Sequence, residues 1–117
     1  MTVYVPQEVM YKNNKDQLIP KFNLQAAEEF GEIKILLPYG NVTMAPQPMV
    51  GKLRQQLKNF CDEDYILPMG DPAAIGAAIA IASDFNNGRI KLLKWRRTNG
   101  HQYIELKMNL RGQRYAD

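Results

Sequence analysis

Between Arg89 and Met108 the chain reads RIKLLKWRRTNGHQYIELKM, two strand-like runs on either side of Asn99-Gly100. Asn-Gly between such runs is the strongest short-range signal for a β-hairpin closed by a two-residue turn. A turn at those two positions fixes the register. Trp95 then faces Ile104 and Leu93 faces Leu106 on one side. On the other side Lys94 faces Glu105, Arg96 faces Tyr103, and Leu92 faces Lys107. The first side reads as a core face with Trp95 buried in it. The second reads as wet and mainly basic, with an ion pair and a cation–π contact. A slip of one residue would exchange the two faces.

The hairpin also concentrates charge. From Arg89 onward there are eight basic residues and two acidic ones, a surplus of six. The preceding residues hold seven basic and ten acidic ones, a deficit of three, which leaves the net +3 of the whole chain. An acidic body with a basic hairpin and tail suits a polyanion or an acidic partner surface.

The 117 residues suffice for one domain with its own core, expected over residues 1–117 with a flexible tail at 111–117. A single cysteine, Cys61, excludes an intramolecular disulfide and fits a reducing compartment. The N-terminal residues show no basic segment followed by an apolar run, so no signal peptide is expected. The longest apolar stretch, Pro72–Ala82, falls short of the roughly 20 residues that span a bilayer. A cytoplasmic protein with no membrane partner is the expectation.

Along the chain, Thr2–Val5 and Glu8–Tyr11 read as strand pieces broken by Pro6, which suggests an edge or a bulge. Lys12–Asp16 reads as a turn returning through Gln17–Phe22. Asn23 and Gly31 bracket a short helix. Ile33–Leu37 reads as a strand in a sheet interior. Pro38–Pro48 is a loop, and Met49, Leu53, Leu57 and Phe60 mark one face of a helix. Tyr65–Leu67 is a further short strand. Asp71-Pro72 opens a helix that is apolar all round from Ala73 to Ala82, so it is expected to be central and buried. The class that results is α+β, an antiparallel sheet with a C-terminal β-hairpin packed on two to three helices.

Catalytic, cofactor-binding and metal-ligating residues are all expected to be absent. His101 is the only histidine and follows the turn, without a second ligand at metal spacing. Cys61 adjoins Asp62-Glu63-Asp64, and acidic neighbours do not activate a thiol. The acidic run lacks the spacing of a calcium loop and reads as a solvated turn. The Asp71 carboxylate already occupies its helix N-terminus, and no phosphate-binding glycine motif is present. What is left is the hairpin. Lys94, Arg96, Arg97, Tyr103 and Lys107 are the candidate contacts for a partner or a nucleic acid, set against a plain solvated face.

Gly70-Asp71-Pro72 before a small-residue helix, then Asn87-Gly88-Arg89 and Leu92-Leu93-Lys94-Trp95, resemble a group of small accessory proteins encoded by tailed bacteriophages. The resemblance spans residues 65–110, with Arg96 standing where an acidic residue often follows the tryptophan. It carries no activity to transfer and implies a phage-borne accessory protein in a bacterial cytoplasm. The function expected is a non-enzymatic interaction module that docks on an acidic host or phage protein through the hairpin. The alternative is a module binding DNA or RNA with the same surface, and a third is a small enzyme on an unrecognised scaffold. The Ala/Gly-rich helix and the edge strands also admit a homo-oligomer.

Overall fold

Near-continuous apolar sequence marks a strand covered on both faces, and TVYVPQ is such a strand. In the computed structural model, which describes residues 1–40, 46–97, 100 and 102–112, Thr2–Gln7 forms β1 with every residue after Thr2 buried. Two short strands follow, β2 (Met10–Lys12) and β3 (Leu18–Pro20), then a 3-10 helix at Gln25–Phe30 and β4 at Glu32–Leu37. Helix α1 (Pro46–Leu57), β5 (Tyr65–Ile66), α2 (Pro72–Phe85), β6 (Arg89–Arg96) and β7 (Gln102–Asn109) complete the order. The main sheet runs β4-β1-β5-β6-β7, and β2 and β3 pair separately around the expected turn.

The α+β class and the C-terminal hairpin stand, but the sheet is mixed. β4, β1, β5 and β6 are parallel, and within this sheet only β6 and β7 are antiparallel. The connections explain it, because α1 joins β4 to β5 and α2 joins β5 to β6. A crossover through a helix brings the next strand back parallel. β1 is accordingly internal despite Pro6. Its pairing with β5 covers only Val3 and Tyr4, and its pairing with β4 skips position 6, so the missing donor falls outside both ladders. β4 in turn is an edge, with Ile35 39% exposed.

Each face of the sheet has its own core. On the helix face Leu53 and Leu57 of α1 and Ala78 and Ile81 of α2 cover Tyr4, Ile66 and Ile90. On the opposite face Ala27 of the 3-10 helix covers Val3, Val5, Tyr65 and Leu93. The start of α2 is as the sequence indicates, with Asp71 accepting the Ala73 N–H at 2.8 Å and Pro72 in the first turn. The helix is not enclosed, however. Ala74, Ala78 and Ala82 meet the core, while Ala73, Gly76 and Ala80 face outward. No helix among the described residues is long and apolar enough to cross a membrane.

The acidic run after α1 is a clasp. Asp64 is buried and accepts the backbone N–H groups of Thr2 (3.0 Å) and Cys61 (3.1 Å). Asp62 accepts Arg89 Nε and Asn86 Nδ2, both at 2.9 Å, joining this turn to the start of β6. The Cys61 thiol is exposed and donates to Asp64 at 3.4 Å.

The hairpin departs from its expected register by one residue. Leu92 pairs with Leu106, Leu93 with Glu105, Lys94 with Ile104, Trp95 with Tyr103 and Arg96 with Gln102. The connection is therefore residues 97–101, longer than a two-residue turn. Gly100 takes positive φ (85°), while the expected turn residue Asn99 and the neighbouring His101 lie outside the described residues. So do residues 41–45 of the proline-rich loop and 113–117 of the expected tail. The expected Lys94–Glu105 ion pair and Arg96–Tyr103 contact do not form, because the slip places their members on opposite faces. Glu105 instead lies 3.9 Å from Lys107 and accepts the Tyr65 hydroxyl at 3.3 Å.

The hydrogen bonds from Arg89 and then Asn86 hold the Asp62 carboxyl below its ordinary value. A carboxylate lowered in this way contributes stability above its unfolded pKa of about 4, and that contribution is lost as pH falls through the lower folded value. The urea midpoint should therefore drop as pH is taken from about 5 to about 2, and Asp62→Asn should drop less steeply over the same window. The effect will be modest, since the Asp62 side chain is largely exposed and screened.

Candidate functional site

Four parallel strands turn their carboxyl ends toward one edge of the sheet. There the chain leaving β1 goes to the face carrying the 3-10 helix, and the chain leaving β5 enters α2 on the other face. Such a divergence opens a crevice outside the strand ends. Gln7, 5% exposed, ties its base together. Its Nε2 donates to the carbonyls of Pro38 (3.0 Å) and Gly40 (2.7 Å), and its Oε1 accepts the Asp71 N–H (2.8 Å). Gly70 takes φ of +120° here, and a Cβ on it would lie 2.6 Å from that of Gln7, so only glycine fits.

β5 stops at Ile66, level with Leu92, while β6 continues to Arg96. The overhang of β6 and the segment Leu67–Gly70 enclose about 890 Å³. The lining is mainly apolar, with Leu67, Met69, Leu93 and Phe22 contributing, and Trp95 and Tyr103 form one wall. These two rings meet edge to face, 4.8 Å apart at 69°. Trp95 is 41% exposed, contrary to its expected burial, and burial pushes the Tyr103 phenol up, which keeps it a neutral hydroxyl. Lys94 and Arg97 are exposed and line the same space. At the other end of β1 and β4, Glu28, Glu29 and Glu32 border a recess of about 620 Å³.

The structure brings together three of the five candidate contacts, Lys94, Arg97 and Tyr103. Arg96 lies on the opposite face from Trp95, with its Nε buried and no hydrogen bond to it among the described residues. Lys107 lies further along β7, directly opposite Lys91 and beside Glu105. Trp95, Met69 and Phe22 are the additions. Trp95 was assigned to the core face, and its exposure follows from β5 ending at Ile66; the other two come from segments without a charge or motif signal. Among the described residues no group of three or more His, Cys, Asp and Glu side chains is gathered around a metal-sized space.

Two outcomes follow from this geometry. Trp95→Ala should cost about 1 kcal/mol, the worth of an aromatic pair at a half-open site, against about 3 kcal/mol for the buried Leu93→Ala. Trp95 emission should be red of a buried indole and quenched by iodide. Gln7→Leu should cost about 1–3 kcal/mol in urea unfolding, because three part-buried hydrogen bonds are lost together.

A family model described as Phage Pam3 gp32-like protein matches residues 1–110, from the first residue through the end of the hairpin. No curated protein and no solved structure matches the chain. The match takes in the whole main sheet, both helices and the crevice, well beyond the segment that carries the sequence resemblance. The chain belongs to the Phage Pam3 gp32-like protein family.

Proposed function

We propose that this phage-family protein is a non-enzymatic interaction module. Its crevice receives an apolar or aromatic side chain from an acidic segment of a host or phage protein. The observation that carries the reading is the exposed Trp95 edge-packed on Tyr103, over an apolar crevice with Lys94 and Arg97 at its mouth. Tryptophan, tyrosine and arginine are the residue types that dominate interface energetics, and they do so where an apolar pocket excludes water. Lys94 and Arg97 would steer an acidic segment toward the crevice and set its orientation.

The same exposed ring, with two cations lining the crevice, supports a second reading, in which a base of single-stranded DNA or RNA stacks on Trp95. Oligonucleotides should then quench Trp95 fluorescence at low salt, and each phosphate contact should add about 0.7 to the log–log salt slope.

The test is affinity capture from infected-cell lysate with wild type, Trp95→Ala and Arg97→Glu. Both variants should lose the captured protein while their melting temperatures stay within a few degrees of wild type. Equal recovery by all three would overturn the docking reading. Arg96→Ala and Lys107→Ala should capture normally, since neither residue lines the crevice.

A further inference from the structure

β7 is the terminal strand of the sheet, and such a strand presents a row of backbone groups that can pair with another chain. The start of the hairpin shows which residues form that row. Arg89 donates its N–H to the Asn86 carbonyl (3.1 Å), and its own carbonyl accepts Asn86 Nδ2 (3.0 Å), so both groups turn away from β7. Leu110 donates to the Gly88 carbonyl at 2.7 Å. Antiparallel pairs alternate between bonded and non-bonded positions. Gln102, Ile104, Leu106 and Met108 therefore bond to β6, and Tyr103, Glu105 and Lys107 direct their backbone groups outward. The ladder is unbroken from Arg89–Asn109 to Arg96–Gln102, with no proline or bulge to blunt the edge.

A second copy adding antiparallel must set outward residues against outward residues, which excludes every register shifted by one. Centring the pair on Glu105 or on Lys107 opposes a charge to itself. Centring it on Ile104 or Met108 runs off the strand and leaves much of β7 unpaired. Centring it on Leu106 sets Glu105 against Lys107 of the second copy, twice by symmetry. That register also sets Leu106 against Leu106 and Ile104 against Met108 of the second copy on the helix face, where all three side chains are only half-buried. The acid from the second copy would further offset the Lys91–Lys107 like-charge pair within each sheet. β4, the other edge, offers no equivalent. Its one opposite-charge match, Glu32 with Lys34, would drive the second copy into the 3-10 helix that ends at Phe30.

We propose that the protein forms a two-fold homodimer joined antiparallel from β7 to β7 through Leu106, making one continuous sheet. Leu106 and Tyr103 also border the crevice. The charged pairs that set this register, Glu105 with Lys107, do not line it, and Lys94, Trp95 and Arg97 take no part in the interface. Sedimentation equilibrium at micromolar concentration should show dimer for wild type. Glu105→Lys and Lys107→Glu should each raise the dissociation constant by roughly tenfold or more, because each places two like-charge pairs across the edge. Mixing these two variants restores both opposite-charge pairs, so a heterodimer should form from partners that are monomeric alone. Glu105 also accepts the Tyr65 hydroxyl, so thermal melts accompany each variant, and the mixing result distinguishes a lost interface from a loosened fold. A monomeric wild type, a dimer unaffected by either substitution, or a mixture that stays monomeric would each overturn the proposal.

Discussion

The carboxyl edge of the sheet depends on the three hydrogen bonds of one amide. Gln7 stands where β1 ends, and its side chain reaches the Pro38–Gly40 segment on one side and the Gly70–Asp71 turn on the other. The Gly70–Asp71 turn runs directly into α2, so the amide helps set where that helix begins. Without it, three part-buried hydrogen bonds would be lost together, a cost of about 1–3 kcal/mol against the small net stability of a domain this size. Gly70 is fixed by the same contact, because only a residue without a Cβ can approach Gln7 so closely. The crevice floor at Met69 follows directly, since the Met69 carbonyl accepts the Gln7 backbone N–H at 3.1 Å.

Much of this architecture was legible locally and much less of it globally. The Asp71-Pro72 helix start and the Lys12–Asp16 turn are set by short-range geometry and appear where the sequence places them. Helix α1, by contrast, begins at Pro46, inside the expected loop, and ends at Leu57, leaving Phe60 of the expected stripe beyond it. Strand direction is a property of the connections. Two strand–helix–strand units were already visible in the chain, and they imply parallel pairing more strongly than any single strand's composition implies its position. Pro6 misleads for a related reason. A proline is barred from a ladder only where a partner needs its donor, and β5 is too short to need it at that position.

The hairpin shows how little separates the two readings of a strand pair. Asn99-Gly100 favours a two-residue turn, yet the ladder closes at Arg96–Gln102, and that change of one residue exchanges which β7 side chains join each β6 face. The sequence pattern could not arbitrate because both faces are partly apolar. Ile90 and Leu92 serve the helix face, while Leu93 and Trp95 serve the other. Alternation specifies a register only when one face is uniformly polar. Here the sheet is covered on both sides near its centre, and the tip of β6 runs past that cover.

The basic surplus of the C-terminal segment is divided by position along β6. Near the start of the strand the charges are used internally. Arg89 binds Asp62 at 2.9 Å, and Lys91 lies 4.1 Å from the centre of the Tyr65 ring. Lys107, level with Lys91 on β7, lies beside Glu105. Past the end of β5, no ion pair among the described residues involves Lys94 or Arg97. The short β5 thus does two things at once. It ends the cover that would bury Trp95, and it carries the remaining cations beyond the acidic residues that neutralise those behind them. Net charge alone could not show this separation, because counting treats Arg89 and Arg97 alike. Where a strand loses its neighbour decides which charges the fold itself uses.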